Sequence, residues 1–230
     1  MKIVFLGDSV TEGCFGFYWD ENGNLCGHTD KDACYVRQTE LRLQAAFPDK
    51  EITCVNAGVG GENAAQALAR LRRDVLDQKP DAAVVCLGLN NAGQTALEAF
   101  TGPMREIFAG LLAQGIAPVL LTPNMMAARV DDNVPEPLKE FTTARAENQN
   151  DGTMDRFVQG AVNVAGAFGV PVCDAYAGWK RLASYGIDTT ALLANYINHP
   201  TPGMHGLFVD VLMPTLTALC EARFAEETTA

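Results

Sequence analysis

Basic side chains are scarce in this sequence. Its 230 residues contain 17 Lys and Arg against 28 Asp and Glu, which gives a formal net charge of −11 at pH 7. Proteins that bind nucleic acid draw most of their affinity from clustered Lys and Arg side chains that contact phosphate groups. The composition therefore excludes a nucleic-acid-binding function and indicates that no nucleic acid is a partner.

Long apolar runs are also missing. No run approaches the roughly eighteen consecutive apolar residues of a membrane-spanning helix. The apolar residues 3–6 are too few for the apolar region of a signal peptide, and no small-residue cleavage site follows them. We therefore expect a cytoplasmic protein that does not associate with a membrane. The sequence leaves its oligomeric state open.

The seven cysteines are an odd number, which argues against a disulfide framework. Three of them lie within apolar runs, where a free thiol behaves as a small apolar side chain: Cys54, Cys86 and Cys173. A zinc site can be imagined from Cys26, His28 and Cys34, with Cys14 nearby. Their spacing matches no paired Cys-x-x-Cys pattern. We therefore expect reduced thiols, no metal and no cofactor.

Short apolar runs alternate with longer amphipathic stretches, in a chain of suitable length for one domain over residues 1–230. The runs predict strands at 2–6, 51–56, 82–87, 117–122 and 170–173, and the stretches predict helices at about 34–47, 62–78, 97–114, 152–168 and 203–224. Nearly continuous apolar strands suit a parallel sheet that is covered on both faces. The pattern predicts a three-layer α/β/α domain with right-handed crossovers.

Two long connections interrupt this alternation, at residues 14–33 and 123–150. Loops of this length often form lids or binding walls. The second is rich in charged residues, Asn and Pro, so a solvated surface excursion explains it equally well. The aromatic residues in the first connection either line an acyl or sugar pocket or anchor the loop to the core: Phe15, Phe17, Tyr18 and Trp19.

Unusual residues follow the first three predicted strands, at the edge where ligands bind in open parallel sheets. Ser9 follows the first strand in Gly-Asp-Ser, Gly61 follows the second, and Asn90 follows the third. Neither glycine-containing turn gives G-x-G-x-x-G, and no P-loop lysine follows a strand, which argues against a nucleotide site. A serine hydroxyl near two hydrogen-bond donors suits acyl transfer, in which charge develops on a carbonyl oxygen.

Acyl transfer also needs a base, and the chain has only three histidines. His199 lies late in the chain, just before the last predicted helix, from where it can reach the Ser9 loop. We expect His28 to be a surface residue, and we expect His205, within the last predicted helix, to pack or to face solvent. His199 is therefore the candidate base.

Four segments, in order, resemble the sequence blocks of the SGNH hydrolase superfamily, the GDSL family of esterases and lipases: "GDSVTEG", "VNAGVGGEN", "LGLNN" and "NHPTPGMHG". The resemblance covers nearly all of the chain and implies a flavodoxin-like five-stranded α/β/α fold. It also implies that Ser9 is the nucleophile and His199 the general base. The backbone N–H of Ser9 would share an oxyanion hole with Gly61 and Asn90.

The chain departs from the family pattern at Tyr196, where an aspartate usually lies three residues before the histidine. Loss of that carboxylate costs about 10⁴-fold in a serine-protease triad, so another group must orient the imidazole. The candidates are a backbone carbonyl and the side chains of Asn195, Tyr196, Asp188 and Asp210. We favour a Ser9–His199 dyad aided by a carbonyl or an amide. Asn91, where aspartate is common, is a second and more tolerable departure.

The resemblance implies a serine esterase that hydrolyses carboxylic esters through an acyl-serine intermediate. We expect a small-molecule substrate with a short acyl group, such as an acetyl ester of a carbohydrate. Two alternatives stay open. The first is a catalytically weak member that binds a glycan or acyl ligand, as Tyr196 suggests, and the second is an acyltransferase that uses the same site.

Overall fold

A computed structural model describes residues 1–229 as alternating strands and helices. Its elements, in chain order, are β1 (Lys2–Gly7), α1 (Ser9–Glu12), β2 (Cys14–Trp19), β3 (Leu25–Thr29), α2 (Tyr35–Ala46), β4 (Thr53–Gly58), α3 (Ala64–Asp74), β5 (Ala82–Cys86), α4 (Leu97–Ala113), β6 (Ala117–Leu121), α5 (Lys139–Asn150), α6 (Thr153–Ala167), β7 (Val172–Cys173), α7 (Ala175–Ser184) and α8 (His205–Thr229). The predicted strands are confirmed, with ends shifted by at most two residues.

The central sheet has five strands in the order β4-β1-β5-β6-β7. Every neighbouring pair is parallel. Helices α2, α7 and α8 pack together in one layer, and α3, α4 and α6 pack together in the other. This architecture confirms the predicted three-layer α/β/α fold with a flavodoxin-like strand order. The buried apolar side chains of the sheet and of both helical layers form one continuous core.

Helix α8, together with the turn that starts at Pro202, is long and apolar enough to cross a membrane by length and composition alone. The core helix of a globular protein passes the same test. One face of α8 is buried against the rest of the fold, through Phe208, Val209, Leu212, Leu216 and Cys220. The absence of a membrane partner and the cytoplasmic location stay predictions.

Both long connections contain regular structure that the sequence pattern did not predict. The first holds the antiparallel hairpin of β2 and β3. Its turn is closed by Asp20, whose side chain accepts hydrogen bonds from the backbone N–H groups of Asn22 and Asn24. The second contains α5, which packs on α6. Helix α7 was also missed; Asp174 caps it by accepting from Ala177 N.

The short helix α1 lies directly across the ends of β1 and β4. A Cβ atom on Gly58 would lie 2.2 Å from the backbone nitrogen of Glu12, and one on Gly7 would lie 1.9 Å from Thr11 Oγ1. Only a residue without a side chain fits at either position. The two glycines therefore let α1, which begins with Ser9, sit at the carboxyl edge of the sheet.

Gly58→Ala tests this close approach. The added methyl group meets backbone rather than a movable side chain, so α1 or β4 must shift. Overpacking of this kind costs about 1–3 kcal/mol, and we expect the free energy of unfolding, measured in urea, to fall by at least that amount. Gly27→Ala is the control, because nothing lies within 4 Å of its Cβ position. Equal stability of the two variants would contradict the packing described.

Asp8 caps α1 and is buried. Its Oδ1 accepts a hydrogen bond from Val10 N at 3.0 Å. Burial raises the pKa of the Asp8 carboxyl from 3.8 to about 7, and backbone hydrogen bonds from Val10 and Asp8 itself oppose part of the increase. Because the pKa of this carboxyl is higher in the folded than in the unfolded state, the folded protein is more stable at low pH, where Asp8 is protonated. That stability is lost as the pH rises through about 7.

Asp8→Asn keeps the cap and removes the ionisation. When the pH is raised from 5 to 8, the free energy of unfolding of this variant should increase relative to that of the wild type by about 1 kcal/mol or more. Urea unfolding at the two pH values measures this change. Asp188→Asn is the control with the opposite sign, because Arg129 lowers the pKa of the Asp188 carboxyl. That variant should be less stable than the wild type at both pH values. A pH-independent effect of Asp8→Asn would show that Asp8 stays ionised.

Candidate active site

Ser9 and His199 meet at the carboxyl edge of the sheet. Ser9 follows β1 as the first residue of α1 and is 7% exposed. Its Oγ lies 2.9 Å from His199 Nε2, across a sequence separation of 190 residues. The fold thus brings together the predicted hydroxyl and the predicted base.

The other ring nitrogen of His199 faces the backbone carbonyl of Phe15 in β2, with 3.2 Å between Nδ1 and the oxygen. A carbonyl oxygen can only accept, so Nδ1 carries the proton. Nε2 is then unprotonated and accepts a hydrogen bond from the Ser9 hydroxyl. Burial lowers the pKa of His199 from 6.5 to about 4, and the hydrogen bond to Phe15 opposes part of this decrease. The imidazole is therefore neutral at neutral pH.

Asn195 positions the backbone of His199 rather than its ring. Its Oδ1 accepts hydrogen bonds from the N–H groups of Ile197, Asn198 and His199, each at 2.9 Å. Tyr196 lies within this turn and adopts a left-handed conformation, with φ of 57°. Asn195 therefore fixes the loop, and Tyr196 has no hydrogen bond to the imidazole among the described contacts.

The two carboxylates considered as orienting groups have other partners. Asp188 lies 2.6 Å from Nη2 of Arg129, and its other oxygen accepts from Thr190 N. Asp210 lies 2.6 Å from Nη1 of Arg42. Neither is hydrogen-bonded to His199 within the described part of the chain. The predicted roles of Asp188 and Asp210 are therefore wrong, and a backbone carbonyl occupies the position in their place.

Gly61 and Asn90 belong to the loops on either side of Ser9. Gly61 has φ of +76°, which favours glycine, and nothing lies within 4 Å of its Cβ position. A Cβ on its neighbour Gly60 would lie 4.0 Å from the Cβ of Ser9. The N–H groups of Ser9 and Gly61 have no acceptor among the described residues. Asn90 Nδ2 donates to the carbonyl of Glu62 at 3.0 Å, which leaves its second N–H.

Asn91 joins the same two loops. Its Oδ1 accepts from Ala64 N at 3.0 Å, at the start of α3, and its Nδ2 donates to Thr95 Oγ1. A carboxylate could accept the first bond but could not donate the second. The asparagine at this position therefore serves as a link between loops.

His205 begins α8 and is fully buried. Its Nδ1 accepts a hydrogen bond from Tyr35 N at 3.0 Å, and its ring centroid lies 4.9 Å from that of Phe15. Burial lowers the pKa of His205 to about 3, and the charge of His199 acts in the same direction. Of the two outcomes expected for His205, packing is correct. The His205 ring packs on Phe15, whose carbonyl orients His199.

A cavity of about 450 Å³ opens beside the hairpin. Phe15 links it to the site, because the carbonyl of this residue contacts His199. The other residues that line the cavity include Phe17, Tyr18, His28 and Asp30. Phe15 itself is buried and anchors β2, whereas Tyr18 and Trp19 are exposed. Phe15 thus anchors the hairpin to the core, Phe17 and Tyr18 line the cavity, and Trp19 does neither.

All seven cysteines are free thiols. Among the side chains of residues 1–226 we find no group of three or more His, Cys, Asp or Glu arranged to hold a metal ion. Burial raises the pKa of the Cys34 thiol, which donates to the Lys31 carbonyl and accepts from Asn56 Nδ2. The absence of a metal and of a cofactor stays a prediction.

The orienting group was missed as an individual residue because a backbone carbonyl has no signature in the amino-acid sequence. The class of group was foreseen: a carbonyl was one of the alternatives for replacing the aspartate at Tyr196. Selecting Phe15 requires knowing that β2 folds back beside His199, 184 residues away. The only local signal was the position of Phe15 in the apolar segment that follows Ser9.

Known proteins that resemble this chain identify its family. The GDSL-like Lipase/Acylhydrolase family profile matches residues 5–207. An acetylxylan esterase of Geobacillus stearothermophilus is 34% identical over 90 residues, which is 39% of this chain and 39% of that protein. The match therefore spans well under half the length of that relative.

Solved structures share the fold. A lipase/acylhydrolase from Enterococcus faecalis superposes with a TM-score of 0.67 and 23% identity, covering 94% of this chain and 95% of the other. LAE5, an alpha/beta hydrolase enzyme from the metagenome of Lake Arreo, Spain, gives a TM-score of 0.69 and 22% identity, with 95% of both chains covered. The family match extends over most of the sequence and includes Ser9, Gly61, Asn90 and His199. The chain belongs to the GDSL-like lipase/acylhydrolase family, which places it among the carboxylic ester hydrolases.

Proposed function

We propose that this protein hydrolyses short-chain carboxylic esters through an acyl-enzyme intermediate on Ser9, and that its substrate is an acetylated carbohydrate or a similar small ester. The observation that carries the proposal is the 2.9 Å hydrogen bond between Ser9 Oγ and an unprotonated His199 Nε2. A hydroxyl paired with a neutral imidazole is the arrangement that activates serine as a nucleophile.

In the first step, Ser9 Oγ attacks the ester carbonyl carbon while its proton moves to His199 Nε2. The N–H groups of Ser9, Gly61 and Asn90 stabilise the negative charge that develops on the carbonyl oxygen. The C–O bond to the alcohol then breaks, and the alcohol leaves with the proton from Nε2. Water attacks the acyl-serine by the same route, which releases the carboxylic acid and restores Ser9.

Three observations support the substrate class. The relative from Geobacillus stearothermophilus that matches over 90 residues is an acetylxylan esterase. The cavity beside β2 combines the aromatic rings of Phe17 and Tyr18 with the polar side chains of His28 and Asp30. Finally, the net charge of −11 disfavours approach to an anionic lipid surface.

A catalytically weak binding protein is the alternative that Tyr196 favours, since the family aspartate is absent there. The Phe15 carbonyl supports hydrolysis instead, because it supplies one of the two functions of that aspartate by fixing the imidazole tautomer. It does not supply the second function, a negative charge beside the imidazolium. We therefore propose an active enzyme whose turnover is modest for the family.

Turnover of p-nitrophenyl acetate tests the proposal. We expect Ser9→Ala and His199→Ala each to reduce kcat/KM by about 10³-fold or more, because either change removes the activated nucleophile. Ser184→Ala is the matched control, since this hydroxyl lies in α7 and donates only to the Arg181 carbonyl. It should leave kcat/KM unchanged.

Equal background rates for the wild type and Ser9→Ala would contradict hydrolysis and favour the binding protein. The substrate class is tested by acetyl, butyryl and octanoyl esters and by acetate release from acetylated xylooligosaccharides. A preference for the octanoyl ester would contradict the short-acyl proposal. A transfer product that exceeds hydrolysis when sugar acceptors are added would identify an acyltransferase.

The pH dependence of kcat/KM should follow His199. The neutral imidazole is the active form, so activity should rise as the pH increases through its pKa, which is about 4. We expect nearly full activity at pH 5.5 and a loss below about pH 4.5, measured with p-nitrophenyl acetate while circular dichroism monitors folding. An acid limb centred at pH 6.5 or above would show that the imidazole is more solvated than the structure indicates.

A further inference from the structure

Two arginines are buried behind the loops that carry the donors, and the reaction described above uses neither. Arg70 in α3 is 7% exposed, and Arg145 in α5 is 3% exposed. Burying a guanidinium is costly unless hydrogen bonds satisfy it. The acceptors that the two side chains use therefore indicate what their burial achieves.

Arg70 holds two loops together through one guanidinium. Its Nη2 donates to the carbonyl of Gly7 at 3.0 Å, and its Nη1 donates to the carbonyl of Ala57 at 2.8 Å. Its Nε donates to the carboxylate of Glu62, and Asp74 completes the set at 3.0 Å. Gly7 precedes the Asp8–Ser9 turn, while Ala57 and Glu62 lie on either side of the turn that contains Gly61. Arg70 thus restrains the segments that carry two of the three donors.

Arg145 holds the third loop. Its Nη1 donates to the carbonyl of Leu89 at 3.0 Å and to that of Ala92 at 3.2 Å. These two carbonyls lie on either side of Asn90 in the sequence. The guanidinium lies 4.6 Å from the ring centroid of Phe141, and no carboxylate pairs with it among the described residues. Burial lowers the pKa of Arg145.

The two arginine clusters are connected. Asn90 donates to the carbonyl of Glu62, and the carboxylate of Glu62 accepts from Arg70. Asn91 accepts from the backbone of Ala64, which begins the helix that carries Arg70. The three donor-bearing loops therefore form one hydrogen-bonded network with a guanidinium at each side.

We infer that Arg70 and Arg145 are positioning residues for the oxyanion hole, an inference that rests on the proposed ester hydrolysis. Donors stabilise a developing oxyanion best when they need no reorganisation during the reaction. The planar guanidinium of Arg70 has several fixed N–H directions, so it holds carbonyls of separate turns at once, whereas Arg145 holds two carbonyls of one loop through Nη1. A lysine ammonium would keep the charge but lose this geometry.

Arg70→Lys and Arg145→Lys test the inference with p-nitrophenyl acetate. We expect kcat to fall about 10- to 100-fold, as it does when supporting groups of a reactive site are lost, while KM changes less than about twofold. Trifluoroacetone, which forms a hemiketal oxyanion on the serine, should bind more weakly by the same factor as kcat falls. Arg72→Ala is the matched control, because Arg72 lies in the same helix and is exposed. It should change neither value.

Thermal melts separate positioning from folding. A lower melting temperature with unchanged kcat and trifluoroacetone affinity in both lysine variants would overturn the inference. Glu62→Gln provides a second test that keeps Arg70, and it should weaken trifluoroacetone binding while Arg72→Ala does not. If the wild type shows turnover that depends on Ser9 and the lysine variants match Arg72→Ala, the inference alone fails. If the wild type shows no such turnover, the proposed function fails and takes the inference with it.

Discussion

The hydrogen bond from His199 Nδ1 to the Phe15 carbonyl determines what the site can do. It assigns the proton to Nδ1 and leaves Nε2 free to accept from Ser9 Oγ. A carbonyl is an uncharged acceptor, so it fixes the tautomer without attracting a positive charge as strongly as a carboxylate would. Burial keeps the imidazole neutral and makes it a weak base, and the Phe15 carbonyl opposes only part of that decrease in pKa. In the proposed mechanism, the activation of Ser9 is therefore less favourable than in a complete triad.

Because the base is weak, the N–H donors that face the reacting carbonyl oxygen become more important for the rate. Any stabilisation that the imidazolium lacks must be offset where the oxyanion develops, if turnover is to be maintained. The three loops at that side are linked through Glu62, Asn90 and Asn91, and the buried side chains of Arg70 and Arg145 restrain them. Arg145 has no carboxylate partner among the described residues, so its charge is not cancelled locally. The structure therefore places hydrogen-bonded, restrained loops where negative charge would form.

The sequence predicted the central fold because buried parallel strands leave continuous apolar runs, which local pattern alone reveals. It also predicted that Ser9, Gly61 and Asn90 meet, because parallel strands end at one edge of the sheet. The hairpin of β2 and β3 escaped prediction, since its strands are half exposed and lack a clear alternation. Asp188 and Asp210 were misjudged because their partners, Arg129 and Arg42, lie 59 and 168 residues away. Pairings at such separations are set by tertiary structure.

The orientation of His199 depends on apolar packing instead of charge. The carbonyl that orients it belongs to β2, outside the main sheet, so its position is only as fixed as that strand. Phe15 is held by its buried ring, which packs on His205, and His205 in turn contacts Tyr35 and Phe208. An ion pair between an aspartate and the imidazole would align itself through long-range attraction. A carbonyl hydrogen bond weakens steeply with misalignment, so this site requires a close-packed aromatic cluster where a complete triad requires a single carboxylate.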